Sequence, residues 1–115
     1  MNDHARIQSL PMTPDDLSAP LRSCTSLSDC RSQIDAVDLQ LVALLRQRRA
    51  LVNQLYTFAS RSDEQQHTDR FLSMLSERRQ WAESAKLDPK LVETVFTLIV
   101  NTFTAEELAA RKAKL

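Results

Sequence analysis

An all-α fold is predicted by three features of this 115-residue sequence: it contains no glycine, its four prolines stand at 11, 14, 20 and 89, and no stretch alternates polar and apolar residues as a half-buried strand would. Residues 21 to 88 therefore carry no strong helix breaker, and Leu, Ala, Arg, Gln and Glu dominate them. The length sets one domain with a core too small to hide long helices completely.

Residues 1 to about 25 are rich in Ser, Pro and Asp without periodicity and read as a flexible N-terminal tail, leaving 26–115 as the helical domain. The first helix is expected to start near Leu27, with Ser26 or Ser28 as cap and Asp29 facing its positive end, and to run to about Ser60. Its apolar positions are Ile34, Val37, Leu41, Leu44, Leu51, Leu55 and Phe58. At ~1.5 Å per residue such a helix is roughly 50 Å long, far longer than a compact chain of this size, so something must cover it. The polar run Ser60 to Gln66 is read as a connection, and Thr68 or Asp69 as the cap of a second helix carrying Phe71, Met74, Leu75, Arg78, Trp81 and Ala82. Asp88 followed by Pro89 marks the start of a third, with Leu91, Val92, Val95, Phe96, Ile99, Val100 and Phe103 as its stripe. Three helices, one very long, predict an intertwined homodimer that completes a helical bundle.

Fifteen basic and fifteen acidic residues balance to zero formal charge, which argues against a nucleic-acid footprint or a polybasic membrane anchor. All four lysines lie at or after Lys86, and residues 31 to 61 hold Arg31, Arg46, Arg48, Arg49 and Arg61 against Asp35 and Asp38. That half of the chain is locally cationic. Cys24 and Cys30 match neither a zinc ribbon nor a CxxC pair, and His4 and His67 are isolated, so free thiols and no metal site are expected. With no apolar leader and no segment long enough to span a bilayer, a cytoplasmic location is expected.

Arg48 interrupts the apolar seam of the first helix, in the slot between Leu44 and Leu51. A guanidinium there cannot lose its charge, and residues three or four positions away are Leu44, Leu45, Leu51 and Val52, none of them acidic. Its head either snorkels to water or meets an anionic ligand. Arg31 lies seventeen residues upstream, close to 25 Å along the same axis, so one small ligand reaches both only across a dimer. Arg70, near the expected start of the second helix, is a third candidate, where free N–H groups favour an anion. Such a cluster suits a small dicarboxylate, because each bidentate guanidinium orients one carboxylate.

From Cys24 to about Glu107 the chain resembles the all-helical chorismate mutases, and most closely their isochorismate pyruvate lyase branch. The resemblance rests on Arg31, Ile34, Asp35 and Asp38 as R-x-x-I-D-x-x-D, on Arg48, and on the ERRxWAE run from Glu77 to Glu83. It implies a dimer of three-helix subunits with the chorismate mutase type II fold and two sites inside the bundle. It further implies that Arg48 and Arg70 bind substrate within one subunit while Arg31 reaches into the neighbour's site. The substrates implied are chorismate, rearranged to prephenate, or isochorismate, split to salicylate and pyruvate. Both reactions are pericyclic and need no cofactor, metal or nucleophile; catalysis consists of holding a compact conformer and stabilising charge on the breaking ether oxygen.

Two positions depart from the family pattern. Where the family has a lysine that contacts a carboxylate and the ether oxygen, this chain has Ala59, and where it often has a glutamine donor, this chain has Glu107. Glu107 donates only when protonated, so weakened or acid-shifted activity is expected. Arg61 replaces the lysine only if the first helix ends before Ser60. Two alternatives remain: a non-catalytic homodimer with a regulatory or partner-binding role, favoured by Ala59, and a same-fold enzyme on an amino-substituted chorismate analogue, for which Glu107 would be an attractive partner. Local roles are also open, with Arg31 paired to Asp35, Arg70 to Glu64 or Asp69, and Glu107 to Arg111 or to solvent.

Overall fold

Three α-helices account for the described part of the chain, which in this computed structural model comprises residues 12–58 and 64–113. They are α1 (Leu27–Phe58), α2 (Glu64–Ser84) and α3 (Pro89–Ala113), preceded by a short 3-10 helix at Pro14–Ser18. No strand occurs among the described residues. The all-α, three-helix expectation therefore holds, with the first helix the longest.

The first and third helices begin where a side chain accepts the free N–H groups of the first turn. Ser26 Oγ accepts the N–H of Asp29 at 3.0 Å, while the Asp29 carboxylate accepts the N–H of Thr25 at 2.9 Å, a reciprocal cap at the start of α1. The Thr25 hydroxyl at 3.2 Å and Gln33 Nε2 at 3.0 Å also donate to the same carboxylate. These bonds favour the ionised form and hold the Asp29 carboxyl below the ordinary aspartate range, the Thr25 N–H contributing most. Asp88 Oδ1 accepts the N–H of Lys90 at 3.0 Å with Pro89 in the first helical position of α3.

The turn between α2 and α3 closes without glycine. Lys86 adopts a left-handed conformation, φ 58°, so that its own N–H reaches Glu83 O at 3.1 Å and the N–H of Leu87 reaches Ala82 O at 2.9 Å. This is the Schellman arrangement, usually built on glycine because a Cβ crowds the backbone there.

Met74, Leu75 and Ala82 of α2 are the buried apolar residues among those described, where α2 packs on α3 and on the 3-10 helix. That 3-10 helix lies within the segment read as a tail, and the carboxylate of Asp16 accepts the Thr13 N–H at 2.8 Å. In α1 no residue is buried, and Ile34, Leu41, Leu44 and Leu51 are each more than half exposed. The subunit measures 54 × 34 × 29 Å with a radius of gyration of 17.5 Å, against about 13 Å for a compact chain of 100 residues.

Two expectations are corrected. The second helix starts at Glu64 rather than at Thr68 or Asp69, because Glu64, Gln65 and Gln66 are good helix formers that continue the helix toward the N-terminus. Cys24 and Cys30 are not free thiols but form a disulfide. The chain enters α1 by curling over its first turn, which brings their Cα atoms to 5.2 Å, well within disulfide range. No helix among the described residues is long and apolar enough to cross a membrane.

Candidate functional site

Arg48 sits in the C-terminal half of α1, where its side chain reaches both α2 and α3. Its side chain is half-buried, with Nη2 3.7 Å from Met74 Sδ on α2 and the guanidinium 5.9 Å from the centroid of the Phe96 ring on α3. A thioether and a ring face are weak acceptors. No carboxylate pairs with Arg48 among the described residues, as the apolar spacing of the helix predicts. Its neighbour Arg49 meets Glu106, also on α3, at 3.7 Å, with both side chains half exposed.

Arg78 joins Arg48 from α2. Its guanidinium lies 4.5 Å from the Trp81 ring and 5.7 Å from Phe96, and Nη1 donates to Glu77 Oε1 at 2.6 Å. Burial depresses the proton affinity of this guanidinium, Glu77 raises it, and Arg48 and Arg70 lower it further. Three arginines from two helices thus share one electrostatic neighbourhood. Sequence reasoning placed Arg78 only in the packing stripe of the second helix. The signal that singled out Arg48, a permanent cation in an apolar stripe, was present there too, between Leu75 and Ala82.

Arg70 is exposed. Because α2 begins six residues before it, Arg70 stands in the second turn, beyond the free N–H groups expected to assist it. Its charge lowers the proton affinity of Arg78, two turns further along α2. Arg31 is exposed near the start of α1 and forms no ion pair with Asp35. At five helical turns from Arg48 it does not join the cluster within one subunit. Glu107, half-buried in the last part of α3, is adjacent to the Glu106 that holds Arg49. Ala59 and Arg61 lie outside the described residues. No group of His, Cys, Asp and Glu able to hold a metal occurs among those described.

The arrangement can bind a small polyanion on planar cations set against aromatic and thioether walls. It contains no nucleophile paired with a base among the residues described. A site of this kind acts by fixing the ligand's conformation and by opposing negative charge.

Comparison with known proteins agrees with that geometry. An isochorismate pyruvate lyase of Pseudomonas aeruginosa is 35% identical over 85 residues, covering 74% of this chain and 84% of that protein. Residues 30–108, which include Arg31, Arg48, Arg70, Arg78 and Glu107, match the family model described as chorismate mutase type II. The chain belongs to the chorismate mutase type II family.

Proposed function

We propose that this protein is a pericyclic enzyme acting on chorismate or isochorismate, with activity weakened or shifted to acid by Ala59 and Glu107. The observation that carries the reading is Arg48, a half-buried permanent cation that meets a thioether and a ring where a carboxylate would be required for charge balance. Such an arginine is costly to the fold unless an anion visits it. In this reading Arg48 and Arg70 grip the two carboxylates and hold the reacting carbons in a near-attack conformer. Glu107, protonated, donates to the breaking ether oxygen; ionised, it repels the dianion. Loss of one preorganised donor at Ala59 costs about 3 to 4 kcal/mol, or 10² to 10³ in rate.

The same reading makes the working unit a homodimer. The seam Ile34, Leu41, Leu44, Leu51 of α1, each more than half exposed, supports this, because covering what remains of each side chain contributes roughly 1 to 2 kcal/mol. The partner subunit's Arg31 then supplies the guanidinium that this subunit cannot bring to its own cluster. Leu44→Glu on that seam is expected to convert a dimer, read by sedimentation equilibrium, to monomer. Residues 26–115 form the helical domain of this unit and residues 1–25 an appended tail. A cytoplasmic location fits the substrate class.

The test is a paired assay of the purified protein with chorismate and isochorismate at pH 5 and pH 7.5, beside Ala59→Lys. Turnover that is stronger in acid supports the enzyme. A second reading, a non-catalytic relative with a binding role, is favoured by Ala59 itself; it predicts no turnover by the native chain and gain in the lysine variant. Turnover in neither rejects the pericyclic reading on these two substrates.

A further inference from the structure

Arg78 is the one charged group in the cluster that the proposed function leaves without a task. It occupies the α2 stripe with Met74, Leu75 and Ala82, the buried apolar residues among those described. Its side chain is only 16% exposed, and Nε is fully enclosed with no hydrogen-bond partner among the described residues. Its ion-pair partner, Glu77, is 52% exposed and precedes it directly in sequence, so the pair is held at the surface end of Nη1 while the rest of the guanidinium points inward against Trp81 and Phe96. A buried guanidinium with an unmet donor is worse for stability than methionine or leucine in that place. Packing therefore does not explain it.

Charge does. Arg48 and Arg78 face one ring, and the half-exposed Glu77 is the carboxylate that pairs with either of them among the described residues, which leaves positive charge for an anionic ligand to cancel. The Phe96 ring sets the Arg48 and Arg78 guanidiniums at 5.9 and 5.7 Å from its centroid, so two planar cations from different helices are held in fixed relation before any ligand arrives.

We propose that Arg78 is a substrate-binding residue, a third guanidinium that contacts a small dicarboxylate together with Arg48 and Arg70, with Glu77 as the counter-ion that releases Arg78 when ligand enters. This rests on the dicarboxylate reading of the site. No bond is made or broken in the exchange; one carboxylate replaces another on the same guanidinium.

The chain's single tryptophan, Trp81, lies against Arg78 and reports on it. Stopped-flow Trp81 fluorescence of the full chain on mixing with chorismate or isochorismate, read before turnover, gives the affinity. Arg78→Gln is expected to weaken binding 10- to 100-fold and to raise KM in step, with Arg78→Lys intermediate. Glu77→Gln, which removes the competing carboxylate at a half-exposed position, is expected to tighten binding several-fold. If Arg78→Gln and Glu77→Gln bind as the native chain does while Arg48→Gln loses affinity, Arg78 is structural and the proposal fails, though the dicarboxylate site stands. If the native chain binds neither compound, the site reading fails and this inference with it. Should Arg78→Gln not fold, Glu77→Gln decides alone: unchanged affinity overturns the proposal.

Discussion

Arg48 of α1 and Arg78 of α2 converge on one aromatic ring, with their guanidiniums 5.9 and 5.7 Å from the centroid of Phe96. Like charges brought together at a helix junction oppose folding, yet neither has a buried carboxylate to offset it. The anion site proposed above accounts for the relationship. Under that proposal function and stability are separable, because residues placed for a ligand do not help the fold.

Arg48→Leu should therefore act in opposite directions on the two properties. Replacing a half-buried, poorly partnered cation by an apolar side chain is expected to stabilise the fold by about 1 kcal/mol or more. The same change should lower kcat/KM by about 10² to 10³. Chemical denaturation and the chorismate and isochorismate assays measure the pair of effects, and a fall in both would identify Arg48 as part of the packing.

Asp29 links the start of α1 to pH. Its carboxyl is held below the ordinary range in the folded chain, so the cap contributes stability above the unfolded value near about pH 4 and loses it as pH falls through the folded value. The stability difference between the native chain and Asp29→Ala should be full at neutral pH and shrink toward zero well below pH 4. Urea titrations across that range test it, and a difference independent of pH would show that the cap does not depend on the charge.

Lys86 holds a conformation that glycine adopts without cost. Lys86→Gly should raise stability by about 0.5 to 1 kcal/mol, the relief at a left-handed position being partly offset by the greater freedom of glycine in the unfolded chain. Thermal unfolding of the variant gives the answer directly. A lower melting temperature would mean that the Lys86 side chain makes a compensating contact.

Cys24 and Cys30 close a short loop around the α1 cap. With six residues of separation, chain-entropy arguments assign such a crosslink about 2 kcal/mol. Mass spectrometry after thiol alkylation should find no labelled cysteine in oxidised protein, and the Cys24→Ser, Cys30→Ser variant should unfold earlier by that amount. Equal stability of the reduced and oxidised forms would show that the Ser26 and Asp29 cap holds the segment unaided.

The sequence by itself determined what depends on neighbours along the chain. The absence of glycine and the placement of proline settle the helical class; Ser26, Asp29, Asp88 and Pro89 locate two helix starts, because capping is a contest between groups three or four residues apart. The interruption of an apolar seam singled out Arg48 for the same reason, since its helical neighbours are all visible in the sequence. What only the tertiary structure decided are relations between distant residues. The Cys24–Cys30 bond depends on how the chain enters α1, and the position of Arg70 on how far α2 extends toward its N-terminus. The convergence of Arg48 and Arg78 on Phe96 depends on three helices crossing at one level. Periodicity tells which residues face inward, but the partner that each of them meets there is set by the packing of one helix against another.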